Sequence, residues 1–256
     1  MDYTTPPFEV TFKGLLFDMD GTIIDSTAAV VKHWHTVGNE IGVDPEVILQ
    51  TSHGRRSIDM LKVLSPEKAN WEYVRHMESL LPKLHGSDAV EIPGARSLLD
   101  ALIAANARWT IVTSGTEPLV NGWLSVLNLP RPAHLVTAES VASGKPDPAC
   151  YDLGREQLGL APADAAQVLV LEDSPAGIRA GRAAGCRVLG LVTSHSADQV
   201  RAAAPDWIVR DLRSVSVARV DARAGTVTLR IAEALAPAAS NGSASAGVDG
   251  DGNVGK

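Results

Sequence analysis

VTFKGLLFDMDGTIIDS, residues 10–26, is an apolar run that stops at two carboxylates. Residues 10–17 have the length and apolar content of a β-strand. Asp18-Met19-Asp20-Gly21 supplies turn residues, so the strand ends there. Asp18 and Asp20 stand two apart at a strand end, so their side chains point the same way.

Downstream of this stretch the texture is helical. Asp25 or Ser26 can cap a helix carrying Val30, Val31, Trp34 and Val37. Asp44 is placed to cap the next helix, with Pro45 in its first turn. Residues 57–64 and 69–81 continue the helical pattern, and no convincing strand falls between Ile24 and Val90. Residues 25–91 therefore read as an all-helical insertion between two parts of a core, 10–24 and 92–233. From Pro93 onward strands and helices alternate. Strands are expected at 108–112, 134–137, 167–171, 187–192 and 207–209, with helices at 94–105, 118–127, 148–158 and 175–184. That alternation predicts an α/β fold, a doubly wound parallel sheet with helices on both faces. Residues 215–220 and 226–231 flank Ala224-Gly225 and read as an edge hairpin. Residues 234–256 are rich in Ala, Ser, Gly and Asn and are expected to form a disordered tail.

The chain of 256 residues is 45% hydrophobic and 21% charged, the balance of a globular protein with a full core. A net charge of -7 argues against nucleic acid or an anionic membrane as a partner. An anionic substrate would need local positive charge, from a metal ion or a few placed cations. Cys150 and Cys186 form no C-x-x-C pattern, which excludes a disulfide framework and suits a reducing compartment. The first ten residues have neither a basic nor an apolar leader segment, and no apolar run reaches the ~20 residues of a bilayer span. A cytoplasmic monomer is expected.

In open parallel sheets ligands bind at the carboxyl ends of the strands. Asp18 and Asp20 stand at the end of the first strand, Thr113, Ser114 and Gly115 after the strand at 108–112, and Glu172 and Asp173 after that at 167–171. Lys145 lies in the loop Gly144-Lys145-Pro146-Asp147-Pro148 before a helix. Each group alone has an ordinary reading as a cap, a turn or a surface charge. Converging on one site, they make a coherent chemistry. One carboxylate of the Asp18/Asp20 pair can attack phosphorus, and the other can protonate the leaving oxygen. Magnesium suits the oxygen-rich set, with Asp18, Asp173 and a backbone carbonyl near Asp20 as ligands and Glu172 holding a metal-bound water. A Ser114 or Thr113 hydroxyl and the Gly115 N–H can bond phosphoryl oxygens, and Lys145 adds a point charge.

FDMDGTIIDS (17–26), VTSGT (112–116), SGKPDP (143–148) and LEDSPAGIRAG (171–181) resemble the four motifs of the haloacid-dehalogenase superfamily. The resemblance covers residues 14–211, and the insertion is similar to that superfamily's small helical cap on a Rossmann-like core. It implies Asp18 as nucleophile, Asp20 as acid/base, Ser114 and Lys145 as phosphate ligands, Asp173 as metal ligand and Mg2+ as cofactor. Asp20 argues against dehalogenation, since a departing halide needs no proton donor. TSHGRRSIDML (51–61), WLSVLNLPRP (123–132) and GVDPEVILQTSHG (42–54) resemble the fungal-type glycerol-phosphate and 2-deoxyglucose-6-phosphate phosphatases. A small polyol or sugar phosphate monoester is the expected substrate, with His53 and Arg56 as its contacts in the cap. A phosphomutase, a terpenoid phosphatase and a non-catalytic binding protein are the alternatives. Trp34 can face either the cleft or the cap's own core. Gly177, Gly181 and Gly185 are expected to form one close-packing helix face. Asp249-Gly-Asp251-Gly lacks the remaining ligands of a calcium loop, and His33 and His35 cannot share one ligand from a helix.

Overall fold

The computed structural model describes residues 3–52 and 54–235. In chain order, β1 (Phe8–Phe12) and β2 (Gly14–Phe17) precede a two-residue strand, β3 (Ile24–Asp25), and four helices. These are α1 (Thr27–Ile41), α2 (Pro45–Ser52), α3 (Ser57–Leu64) and α4 (Trp71–His85). Another two-residue strand, β4 (Val90–Glu91), leads into α5 (Ala95–Ala104), β5 (Trp109–Val112), α6 (Glu117–Val126) and β6 (Leu135–Val136). Then come α7 (Ala149–Gln157), β7 (Val168–Glu172), α8 (Pro175–Ala183), β8 (Arg187–Leu191), α9 (Ala197–Ala202) and β9 (Trp207–Val209). The described chain closes with β10 (Val215–Asp221) and β11 (Thr226–Ile231).

The expected doubly wound sheet is present. Its six strands are parallel and run β6-β5-β2-β7-β8-β9, with β2 and β7 at the centre. Alternate residues of the central strands feed opposite layers, as pleating requires. Leu15, Phe17, Leu169 and Leu171 pack into one apolar core. Leu16, Val168 and Val170 pack into the other, against α7 and α8. Burial on both faces explains why β2 and β7 are continuous apolar runs. The four helices between β3 and β4 have a core of their own, built on Trp34, Val37, Ile48, Ile58, Met60, Leu61 and Val74.

The structure corrects the sequence reading in several places. Residues 10–17 are two strands, not one. The chain turns at Lys13, whose N–H donates to Gln167 O at 2.7 Å. β1 pairs antiparallel with β11, and β11 with β10, in a separate three-stranded sheet. The hairpin is thus not an edge of the parallel sheet. The physical reason lies in the side chains. FEVTF alternates apolar and polar, which fits a sheet with one wet face, whereas GLLF is apolar throughout. Phe8 and Phe12 pack their rings against Trp207, with centroids 5.8 and 6.3 Å apart.

The stretch between Ile24 and Val90 is bounded by strand: β3 and β4 pair antiparallel at the base of the helical block, Ile24 opposite Glu91 and Asp25 opposite Val90. Gly185 lies beyond α8 with φ 75°, so it ends that helix instead of sharing its face. The first residues assigned to the tail are ordered. Ala234 pairs with Thr5, and Leu235 N–H donates to Ile208 O at 2.8 Å. The rest of the expected tail, with Asp249 and Asp251, lies outside the described residues. Among those described, no helix is long and apolar enough to cross a membrane.

Gly94 shows how tightly α5 meets the loop before β10. It caps α5 with φ 90°, and a Cβ there would sit 2.3 Å from Arg213 N and Leu212 C. Gly94→Ala should cost about 3 kcal/mol from left-handed strain plus backbone overlap, a Tm drop on the order of 10 °C by calorimetry. An unchanged Tm would show that this approach is not tight.

Candidate active site

β2, β5 and β7 are neighbours in one parallel sheet, so their carboxyl ends meet. Asp18 follows β2 and fastens its N–H to Leu171 O at 3.0 Å. Lys145 arrives from the loop before α7. Its Nζ donates to Asp18 Oδ1 at 2.5 Å, Glu172 Oε1 at 2.6 Å and Val112 O at 3.3 Å. It also lies 5.1 Å from the centre of the Tyr151 ring. Lys145 and Glu172 are buried, with side chains 1% and 0% exposed. A charge so placed must be paired and hydrogen-bonded to survive.

Glu172 is held on every side. Oε1 accepts from Lys145 and from Tyr151 OH at 3.0 Å; Oε2 accepts from Ser174 N at 2.8 Å and Ser174 Oγ at 3.0 Å. The carboxylate lies so close to the start of α8 that a Cβ on Gly177 would come within 1.6 Å of Oε1. That is why Gly177 is glycine. Glu172 thereby orients Lys145, and it also belongs to the carboxylate cluster that could hold a metal ion.

Asp18, Glu172 and Asp173 bring ligand oxygens within 4.8 Å of one another. Against these three buried carboxylates stands one ammonium, so the ionised cluster carries an excess of negative charge. The titration shifts register this. Burial drives the Asp18 carboxyl well up; Lys145 opposes that shift, and Glu172 and Asp173 add to it. Burial and the Glu172 charge push Asp173 up to about 7, against the hydrogen bond from Ser194. For Lys145, burial alone would pull the value down, but Asp18 and Glu172 hold it above the ordinary lysine range. The raised Asp18 and Asp173 carboxyls, with oxygens of the cluster within 4.8 Å of one another, are a donor set that a divalent cation would satisfy.

Gly21 has φ 89°, and a Cβ there would collide with the Asp173 carboxylate at 2.2 Å. The loop after β2 can therefore lie against Asp173. Thr193 Oγ1 donates to Gly21 O, and Ser194 Oγ donates to Asp173 Oδ2, tying the loop after β8 to both. Asp20 is half-exposed and accepts from Ser26 Oγ at 2.5 Å, beside Asp18 in the mouth of the site. After β5, Thr113 Oγ1 accepts from Gly115 N at 3.0 Å, while Ser114 Oγ donates to Gly54 O at 3.0 Å across the cleft. Both hydroxyls line the cavity, so the choice between Thr113 and Ser114 stays open.

The helical block closes over this floor and leaves a cavity of about 90 Å³. Asp18, Asp20, Ser114 and Gly115 line it from below. From above come His33, Trp34, Ser52, Arg55, Ser57 and Glu78. Trp34 thus serves both the cap's core and the cavity wall. His53, an expected substrate contact, lies outside the described residues. Arg56 is placed otherwise than expected. It is buried, with its guanidinium donating to Asp59 Oδ2 at 2.7 Å and to the carbonyls of Ala138, Val141 and Ala142 at 3.1, 2.7 and 3.0 Å. It latches the cap to the core, and Arg55 faces the cavity instead.

A family model for haloacid dehalogenase-like hydrolases matches residues 15–191. The chain belongs to that family. Glycerol-1-phosphate phosphohydrolase 1 of Saccharomyces cerevisiae is 36% identical over 235 residues, 90% of this chain and 94% of the relative. 2-Deoxyglucose-6-phosphate phosphatase 2 of the same yeast is 34% identical over 230 residues, 84% of this chain and 93% of the relative. Among solved structures, a hydrolase from Pseudomonas syringae superposes with a TM-score of 0.65 over 78% of this chain and 94% of its own, at 24% identity, a likeness of fold.

Glu78 and His33 are among the cavity residues that the sequence reading did not assign to the site. Glu78, on α4, is 4% exposed. It accepts from Ser57 Oγ at 2.6 Å and from Thr116 N, at the start of α6 in the core, at 2.8 Å. The available signal was a lone charge inside the apolar stripe that carries Val74 and Leu81. His33, beside Trp34 on α1, was the other; burial, then the charge of His85, lowers it to about 4, so it is neutral near pH 7. Burial is the main cause that lifts Glu78 from 4.5 to about 6, against bonds from Ser57 and Thr116. The folded state therefore holds this proton more tightly than the unfolded chain. The stability it contributes is complete below pH about 4.5 and is lost as pH rises through about 6. Glu78→Gln removes that titration. The Tm of the variant minus that of the wild type should rise between pH 4.5 and 7, by the equivalent of about 2 kcal/mol. A flat difference would mean Glu78 titrates normally.

Proposed function

We propose that this enzyme is a magnesium-dependent phosphatase that hydrolyses a small polyol or sugar phosphate through an aspartyl-phosphate on Asp18. The chain is a phosphoric monoester hydrolase of the haloacid dehalogenase-like family. The observation that carries the finer reading is the buried ion pair of Lys145 with Asp18, with Asp20 beside it, at the floor of a small cavity under the cap.

Asp18 Oδ attacks phosphorus in line, and the P–O bond to the leaving alcohol breaks. Asp20 delivers its proton to the leaving oxygen, then takes one from the water that cleaves the aspartyl-phosphate, so inorganic phosphate leaves and Asp18 is restored. Ser26 fixes the Asp20 carboxyl for both transfers. Lys145, oriented by Glu172, pairs with Asp18 and faces the charge that builds on the phosphoryl oxygens. A Thr113 or Ser114 hydroxyl, with the Gly115 N–H, is placed to bond those oxygens. Asp18, Asp173 and the Asp20 carbonyl are the residues that would hold magnesium, with Glu172 placed for a metal-bound water, and the ion would screen phosphate from the carboxylates.

The cavity also supports the substrate class. Its wall carries the polar side chains of His33, Ser52, Ser57 and Glu78, which suit a hydroxylated group better than a prenyl chain. The Glu78 carboxylate in its wall would repel the second phosphate that a phosphomutase must hold.

Phosphate release should be measured on glycerol phosphates, 2-deoxyglucose-6-phosphate, other hexose phosphates and a prenyl phosphate, with magnesium and with EDTA. The expected result is turnover of a polyol or sugar phosphate that EDTA abolishes, falling on the order of 10⁴-fold or more in Asp18→Asn. Full activity in Asp18→Asn would overturn the mechanism; indifference to EDTA would overturn the metal; preference for the prenyl phosphate would overturn the substrate class.

A further inference from the structure

Each of the four cap helices presents polar side chains to the same cavity, among them His33 from α1, Ser52 from the end of α2, Ser57 from the start of α3 and Glu78 from α4. Apolar stripes normally face a helical block's interior, so this convergence of polar groups calls for a polar occupant. Two of the four are incompletely satisfied. Ser52 is 5% exposed, and among the described residues its Oγ finds no hydrogen-bond partner. Buried hydroxyls are rarely left so, and this one lines the cavity. Glu78 uses one acceptor direction of Oε1 for Ser57 and one of Oε2 for Thr116 N, and each carboxylate oxygen has a second. An ionised carboxylate only accepts, so its complement in a ligand is a donor, and the donors of a polyol are its hydroxyls.

We infer that Glu78 and Ser52 form the hydroxyl-reading subsite of this enzyme, Glu78 accepting a hydrogen bond from one hydroxyl of the substrate's carbon chain and Ser52 Oγ bonding a second. This rests on the polyol- or sugar-phosphatase reading and adds which residues set the selectivity. The subsite is coupled to closure. The same Glu78 that faces the ligand also accepts from the core at Thr116 N, so it is in place only when the cap is down. A substrate lacking hydroxyls leaves the Ser52 hydroxyl without a partner and the second acceptor directions of Glu78 unfilled, an arrangement that discriminates between a ligand and its deoxy analogue. Phosphate itself stays with Asp18, Lys145 and the Gly115 loop.

The test compares glycerol 1-phosphate with n-propyl phosphate, which has the same carbon chain and no free hydroxyl. The readout is the ratio of their kcat/KM values. Ser52→Ala removes a hydroxyl that has no partner among the described residues, and Glu78→Gln keeps a carbonyl for Thr116 N, so both should fold; Tm is recorded alongside. The ratio should fall about 10-fold in Ser52→Ala and about 100-fold in Glu78→Gln, mainly through KM in Ser52→Ala. Equal losses on both substrates, or no loss, would overturn the subsite while leaving the polyol-phosphatase reading intact. A wild-type enzyme that does not prefer glycerol 1-phosphate, or any other polyol or sugar phosphate, to its deoxy analogue would overturn that reading and the subsite with it.

Discussion

The contact between the Lys145 ammonium and two buried carboxylates, Asp18 and Glu172, is the constraint to which the site answers. An ammonium in this interior is tolerable only because Asp18, Glu172 and the Val112 carbonyl surround it. Glu172 in turn is tolerable only because Tyr151 and Ser174 fill its other directions. The chain of dependence reaches the backbone: Gly177 has no side chain because the Glu172 carboxylate occupies that space. Removing any one member strands a buried charge, so the network fixes Asp18 more firmly than packing alone would.

The sheet supplies the coordinates for this network. Three parallel neighbours bring residues more than 90 positions apart to one edge, and a fully apolar β2 anchors that edge between two cores. The cap adds a second set of ties, from Arg56 to three core carbonyls, from Glu78 to Thr116 N and from Ser114 to Gly54. Gly54 takes φ 73° with its missing Cβ aimed at Ser174, so the cap loop rests on the residue that also holds Glu172. Catalytic floor and cap are therefore mechanically continuous.

What was legible in the sequence follows from this construction. Strand ends carry chemistry in parallel sheets, so Asp18, Lys145, Glu172 and Asp173 could be brought together from the order of strands alone. The division at Lys13 was also written in the residues, as a change from alternating to continuous apolar character, but the two segments abut and read as one run. Arg56 was misplaced because a cation before a helix looks like an anion ligand. Its true partners, the carbonyls of Ala138, Val141 and Ala142, lie 82 to 86 residues away and carry no side-chain signature. Glu78 was passed over for a related reason. Periodicity reads a helix face as a whole, and one charge within it gains meaning only when Ser57 and Thr116 are seen to approach.

The two-residue ladder of β3 and β4 has a consequence for how such an enzyme can diversify. The chain leaves the core at Asp25 and re-enters at Val90, and these residues are cross-strand partners. Everything between them is an excursion whose ends already touch, so its length and sequence can drift with little entropic penalty to the core. Asp18, Lys145, Glu172 and Asp173 lie outside that excursion, and Ser52 and Glu78 lie inside it. The buried ion-pair network and the polar cavity wall are thus carried on separable stretches of one chain, free to be exchanged or retuned at different rates.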